Sequence, residues 1–210
     1  MTHSLHRFGS EEELKKDFIV MAMPSKGITE VGSAEKIKKH LAICKRHDPN
    51  CMGGQKVGNS CLISEDEIIG NAKDIVSTYN GVFSDKNIVK DVLQEEIDEQ
   101  VGLSIVVSGV YSETKDIADQ LGIFPNAVNF SLGIWGKKEL LPEPEILEIT
   151  TLCGHGLISQ HLVRNYFKKV EKGYSAEKAA REIGSLCYCS ICNLERIADV
   201  LKGGLPRKQV

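Results

Sequence analysis

The stretch "LLPEPE", residues 140–145, does most to limit how this chain can be laid out. Each proline locks its own φ and pushes the residue before it away from helical geometry. Pro142 and Pro144 therefore form a stiff connector between two unlike stretches of chain. Before it, apolar runs of strand length alternate with amphipathic helical patterns, whereas after it every pattern is helical. This predicts an α/β or α+β fold in which residues 1–140 build a small sheet with flanking helices. Residues 141–210 form an all-helical, cysteine-bearing C-terminal part, either separate or run together with the body as one continuous domain. With 210 residues, 41% of them apolar, the chain is long enough to bury such a core.

Three strands are predicted. "DFIVMAM" at 17–23 is an uncharged run of strand length apart from its first residue, "LSIVVSG" at 103–109 is β-branched and closed by glycine, and "AVNFSLGIW" at 127–135 alternates apolar and polar side chains. Capping boxes at Ser10/Glu13 and Ser64/Glu67 open helices, the second predicted to run through "SEDEIIGNAKDIVSTYNG". Ala34, Ile37, Leu41 and Cys44 recur at helical spacing, as do Ile88, Val92 and Ile97. "DPNCMGGQKVGNS" reads as turns, and "SETKDIADQLG" reads as a helix stopped by Gly122. Beyond the prolines, helices are expected over about 157–171, 175–184 and 193–202, with boundaries uncertain by roughly 2–4 residues.

A net charge of −3 and a pI near 6.1 argue against a broad surface for nucleic acid or anionic lipid. No apolar run approaches the roughly 20 residues of a spanning helix, and the first residues lack the apolar core of a secretory signal. These features predict a cytoplasmic protein without a membrane partner. The seven cysteines are an odd number, and in a reducing compartment clustered thiols point to metal or redox chemistry rather than structural disulfides.

The cysteines cluster at two points. "TLCGHGLISQH" carries Cys153 and His155 between glycines, and "SLCYCSIC" carries Cys187, Cys189 and Cys192. A helix would set residues 187 and 189 about 200° apart, so three thiols that face one point need a tight turn. Both segments flank predicted helices, so their turns can meet. Cys153, Cys187, Cys189 and Cys192, with His155 as substitute ligand or hydrogen-bond donor, suit zinc or an iron–sulfur cluster because soft sulfur donors favour both. The bland alternative is packing, since buried cysteine behaves as a small hydrophobe and Leu186, Tyr188 and Ile191 interleave with the thiols.

Other constellations compete. Cys153 before a helix N-terminus could be an activated nucleophile with His155 as base, and Gly154 and Gly156 would let a small-molecule substrate approach the backbone. His161 reads as a surface residue. His40, Cys44 and His47 share one helix face, with Cys51 and Cys61 nearby in sequence. These could bind zinc, although Cys44 also continues a buried stripe. Residues 114–132 resemble a DNA-binding helix-turn-helix, with Ala118 and Gly122 four apart, apolar Ile117, Leu121, Ile123 and Val128, and Pro125 opening the second helix. Against this, no lysine or arginine occurs from Asp116 to Gly136 to meet phosphate. The loops holding Lys26 and Lys56 match no phosphate-binding spacing.

"SLGIWGKKELLPEPEILEITTLCGHGLIS" followed by "CYCSICNLERIADVL" resembles an uncharacterised prokaryotic protein family with no assigned reaction, over roughly residues 126–201. There a C-G-H-G segment precedes a C-x-C…N-x-x-R segment. The resemblance implies that Cys153, His155, Cys187, Cys189, Asn193 and Arg196 belong to one pattern. The position of Cys192 is often not cysteine in that family, which favours His155 or a non-protein ligand as fourth donor.

Overall fold

In the computed structural model, which describes residues 2–205, the uncharged run "FIVMAM" becomes strand β1, Phe18–Met23. Only an uncharged strand can be buried on both faces without stranding a polar group. The other strands are β2 (Cys51–Gly54), β3 (Gly58–Asn59), β4 (Tyr79–Phe83) and β5 (Ser104–Ser108). They form one five-stranded sheet in the order β3-β2-β4-β1-β5, with every neighbouring pair antiparallel.

Side chains alternate across β1 and sort the helices into two layers. Phe18 and Val20 pack with Ile43, Cys44, Val89, Val92 and Ile117. These residues lie on or beside helices α2 (Ser33–Arg46), α4 (Lys86–Asp98) and α5 (Tyr111–Leu121). Ile19 and Met21 face the other way, into a core with Ile149, Ile158, Phe167, Ile183 and Ile197. That core belongs to the C-terminal helices α6 (Pro144–Thr150), α7 (Gln160–Glu171), α8 (Ala176–Gly184) and α9 (Leu194–Gly203). The short helices α1 (Glu11–Leu14) and α3 (Glu65–Gly70) complete the set. An α+β arrangement of small sheet and flanking helices is therefore present. The last positions of the C-terminal part, 206–210, lie outside the described residues.

The local signals behave as expected where they have a core to serve. Ser10 and Glu13 form the reciprocal capping box, with Ser10 N–H donating to Glu13 Oε2 at 3.1 Å and Glu13 N–H to Ser10 Oγ at 3.3 Å. Ser159 caps α7 by accepting from Leu162 N–H at 3.2 Å, so the helix begins at Gln160 rather than 157.

Three readings need correction. The helix predicted over 64–81 stops at Gly70, and its last residues become β4. Asp74 diverts the chain: its carboxylate accepts from Gly32 N–H at 2.8 Å and Ala34 N–H at 2.7 Å, capping an α2 N-terminus whose own cap residue is glycine. The strand predicted over 127–135 is also absent, because residues 122–137 carry neither strand nor helix. Gly133 and Gly136 adopt left-handed φ of 82° and 89°, which break an extended run, and Phe124, Leu132 and Trp135 stay exposed. The helix-turn-helix reading of 114–132 loses its second helix for the same reason: α5 ends at Leu121 and Gly122 turns left-handed.

Candidate thiol site

Two turns among the C-terminal helices, on the Ile19 and Met21 face of the sheet, carry the cysteines singled out in the sequence. After α6, Gly156 N–H donates to Cys153 O at 3.0 Å and Gly156 turns left-handed, φ 68°, so C-G-H-G closes on itself. After α8, Cys187 N–H donates to Gly184 O at 3.0 Å and Ser190 N–H to Cys187 O at 2.9 Å. Ser190 is left-handed, φ 56°, a rare choice for a residue with a Cβ. The second segment is thus a pair of linked turns, as the thiol spacing required.

Polar side chains from the sheet hold that turn from one side. Asn59 Nδ2 donates to Gly184 O at 3.1 Å and Cys187 O at 2.9 Å. Asn80 Nδ2 donates to Cys189 O at 2.7 Å, and Ser190 Oγ donates to Gly58 O at 3.2 Å. Gly53 lies so close that an added Cβ would overlap the carbonyl oxygen of Gly58 and come within 2.9 Å of Ser190 Oγ.

From the other side the turn is held by charge. Asp17, fully buried, is paired with both Arg7 and Arg196. Arg7 also donates to Ile191 O, inside the cysteine turn. Asn193 caps α9 by accepting from Arg196 N–H at 3.1 Å, and its Nδ2 donates to Lys16 O at 2.9 Å. The N-x-x-R pair is therefore the anchor of the turn, through one backbone cap and one buried ion pair.

The two turns bring their cysteines into one buried cluster. Cys153 and Cys187 lie close enough to shift each other's ionisation, as do Cys187 and Cys192. Cys189 receives a hydrogen bond from Gln55 Nε2 at 3.4 Å and has His155 Nδ1 at 3.6 Å. All four cysteines are buried, whereas His155 is exposed. The Cys187 thiol next to it and burial push the Cys153 thiol far up from its ordinary value. Cys187 is eased by Cys153, but Cys192 and burial push it up to about 12. Burial raises Cys189 against the help of Gln55, and raises Cys192 against the help of Cys187. The imidazole of His155 lies against Cys189, and the Cys153 thiol is perturbed chiefly by Cys187. The expected lowering at a helix N-terminus is outweighed by burial beside another thiol.

Two further cysteines belong to this neighbourhood and were assigned elsewhere by sequence. Cys51 on β2 is raised well above its ordinary value, chiefly by Cys61 and burial, and it also feels Cys187. Cys61 abuts Gly184, where an added Cβ would meet its Sγ at 3.2 Å. The "GGQKVGN" segment forms the β2–β3 hairpin with Cys51 in its first strand and Cys61 in the turn after its second.

The His40, Cys44, His47 face serves packing and pairing. His40 is buried, with Nδ1 2.5 Å from Glu96 Oε1 and Nε2 3.1 Å from Tyr79 O. Both ring nitrogens face acceptors, so the imidazole carries both protons. Burial opposes that charge, but Cys44 and Glu96 outweigh it and raise His40 to about 10. His47 Nε2 bonds to Glu95 at 2.8 Å. His161, Lys26 and Lys56 are exposed.

Among the described residues, no group of three or more His, Cys, Asp or Glu side chains is drawn around a common point in a metal-holding arrangement. The thiols are neighbours in one buried cluster. No helix among these residues is long and apolar enough to cross a membrane. Comparison with known protein families, curated proteins and solved structures found no match to this chain.

Proposed function

We propose that the chain holds a soft metal centre, zinc or an iron–sulfur cluster, at Cys153, Cys187, Cys189 and Cys192, with His155 at its rim. The observation that supports this reading most is the convergence of sulfurs from turns more than thirty residues apart in the sequence, in a buried place where polar side chains anchor the backbone.

The donor set fits such a group. Packed thiols disfavour one another's ionisation, and a bound cation supplies the positive charge that lets several ionise together. The Gln55 amide and the His155 ring beside Cys189 are the N–H donors that commonly orient and stabilise a thiolate ligand. Loading requires the thiols to rotate from each other toward a shared centre. Bound there, zinc would fasten the two turns, and an iron–sulfur cluster would add electron transfer.

Anaerobically purified protein, analysed for zinc, iron and sulfide and by visible absorption, tests this reading. Stoichiometric metal is expected in the wild-type protein, lost from Cys187→Ser and retained by Cys44→Ser, whose thiol lies in the opposite layer. Metal-free protein with every thiol free to react would overturn it.

A further inference from the structure

We propose that Cys51 and Cys61 form a dithiol–disulfide couple that reacts with small aliphatic disulfides, with Cys61 as the entering thiol and Cys51 as the resolving one. The proposal stands apart from the metal reading, because neither cysteine is in that ligand set.

The β2–β3 hairpin builds the pair. Gly54 pairs with Gly58 and Gly53 with Asn59, and Ser60 N–H continues the register by donating to Met52 O at 3.0 Å. Cys61 follows in the turn that closes β3, and the two thiols are close enough to shift each other's ionisation. Ser60, the residue before Cys61, donates its Oγ to Cys51 Sγ at 3.7 Å, which seats the buried thiol against this turn. Asn59 fixes the local backbone, its Oδ1 accepting from Cys61 N–H at 2.7 Å and lying 3.8 Å from Cys51 Sγ.

The two sulfurs differ in access, which assigns their roles. Cys51 is fully buried between β4 and the C-terminal helices, whereas Cys61 is partly exposed. Arg181 Nη2 donates to Ser60 O at 2.7 Å and stands beside Cys61. The same arginine lines a cleft of about 570 Å³ between α8 and α9. The Cys51 thiol and Arg181 hold the Cys61 thiol below its ordinary value despite burial, so its thiolate is the more available.

The exchange balances without any further reactant. The Cys61 thiolate attacks one sulfur of R–S–S–R, forming a mixed disulfide and releasing R–S⁻, which takes a proton from solvent. Cys51 attacks Cys61 Sγ, its proton passing to the departing R–S⁻, which forms the Cys51–Cys61 disulfide and releases the second R–SH. The two protein thiols are oxidised and the small disulfide is reduced to two thiols.

The test uses the wild-type protein as purified, with neutral 2-hydroxyethyl disulfide as probe, acid quenching and peptide mapping by mass spectrometry. The expected product is a single Cys51–Cys61 linkage, with no lasting adduct elsewhere. In Cys51→Ser the same treatment should trap the hydroxyethylthio adduct on Cys61. Iodoacetamide at neutral pH should label wild-type Cys61 at least about tenfold faster than Cys153 or Cys189. Failure of wild-type protein to form the linkage, an adduct that persists on wild-type Cys61, or labelling of Cys61 no faster than the buried thiols would each overturn the proposal. The wild-type measurements stand even if the variant does not fold.

Discussion

Replacing Asp17 with alanine should be among the most damaging single changes in this protein. Its side chain is wholly buried, and the two guanidiniums it serves are only 6% exposed each. Arg196 retains Glu148 at 3.4 Å, whereas the partner left to Arg7 among the described residues is the Ile191 carbonyl dipole. Breaking a buried pair from one side costs about 3–5 kcal/mol, because the orphaned charge stays out of water. At about 2–4 °C per kcal/mol for a chain of this size, the midpoint of thermal unfolding should fall by roughly 6–20 °C. Calorimetry together with equilibrium urea unfolding measures this directly. Asp17→Asn, which keeps an acceptor but removes the charge, should lose less. Combining Asp17→Ala with Arg7→Ala should recover part of the loss, as a shared pair requires. A loss below about 1 kcal/mol would refute the reasoning, since it would mean that the arginines reach water and need no counter-charge.

Further outcomes follow from other contacts. His40 binds its proton more tightly folded than unfolded, so its contribution is complete below about pH 6.5 and is lost as pH rises toward about 10. Urea midpoints over that range should fall, and Glu96→Gln should flatten the slope. Gly53→Ala, at φ 135° and against the Gly58 carbonyl, should lose about 2–4 kcal/mol in thermal unfolding and displace the Ser190 turn. Asn59→Ala removes donors to Gly184 O and Cys187 O and the acceptor for Cys61 N–H, and should cost about 2–4 kcal/mol at roughly 1 kcal/mol per bond. Cys153 should alkylate slowly at neutral pH in apo protein and accelerate above pH 9, the reverse of an activated nucleophile.

The parts of the fold that could be read from sequence are those in which one local pattern meets one environment. "FIVMAM" and "SIVVS" are uncharged and β-branched or apolar, and they became β1 and β5. The helices beyond the prolines carried their own caps, at Ser159, Ser175 and Asn193. β2 and β4 were missed because their residues, "CMGG" and "YNGVF", are rich in glycine and asparagine and become strands only through their partners. Alternation over 127–135 misled because period two is meaningful only with a face to bury.

The candidate site divides in the same way. That 187–192 had to turn followed from thiol spacing alone. That Cys51 and Cys61 would join the other cysteines depended on hairpin register and on α8 lying over it, which no local spacing encodes. Asn193 and Arg196, placed in the pattern only by resemblance, now have a physical reason: each reaches back to residues 16–17.

That reach has a consequence for biosynthesis. Arg7 meets the Ile191 carbonyl 184 residues later, and Asn193 meets the Lys16 carbonyl 177 residues earlier. At about 5–20 residues per second, a ribosome takes roughly 10–40 s to span that gap. Throughout it the Ile19 and Met21 face of the "FIVMAM" ribbon waits for the full set of C-terminal helices that cover it. A nascent chain stalled before residue 191 should therefore engage holdase chaperones through that ribbon and let go soon after α9 emerges.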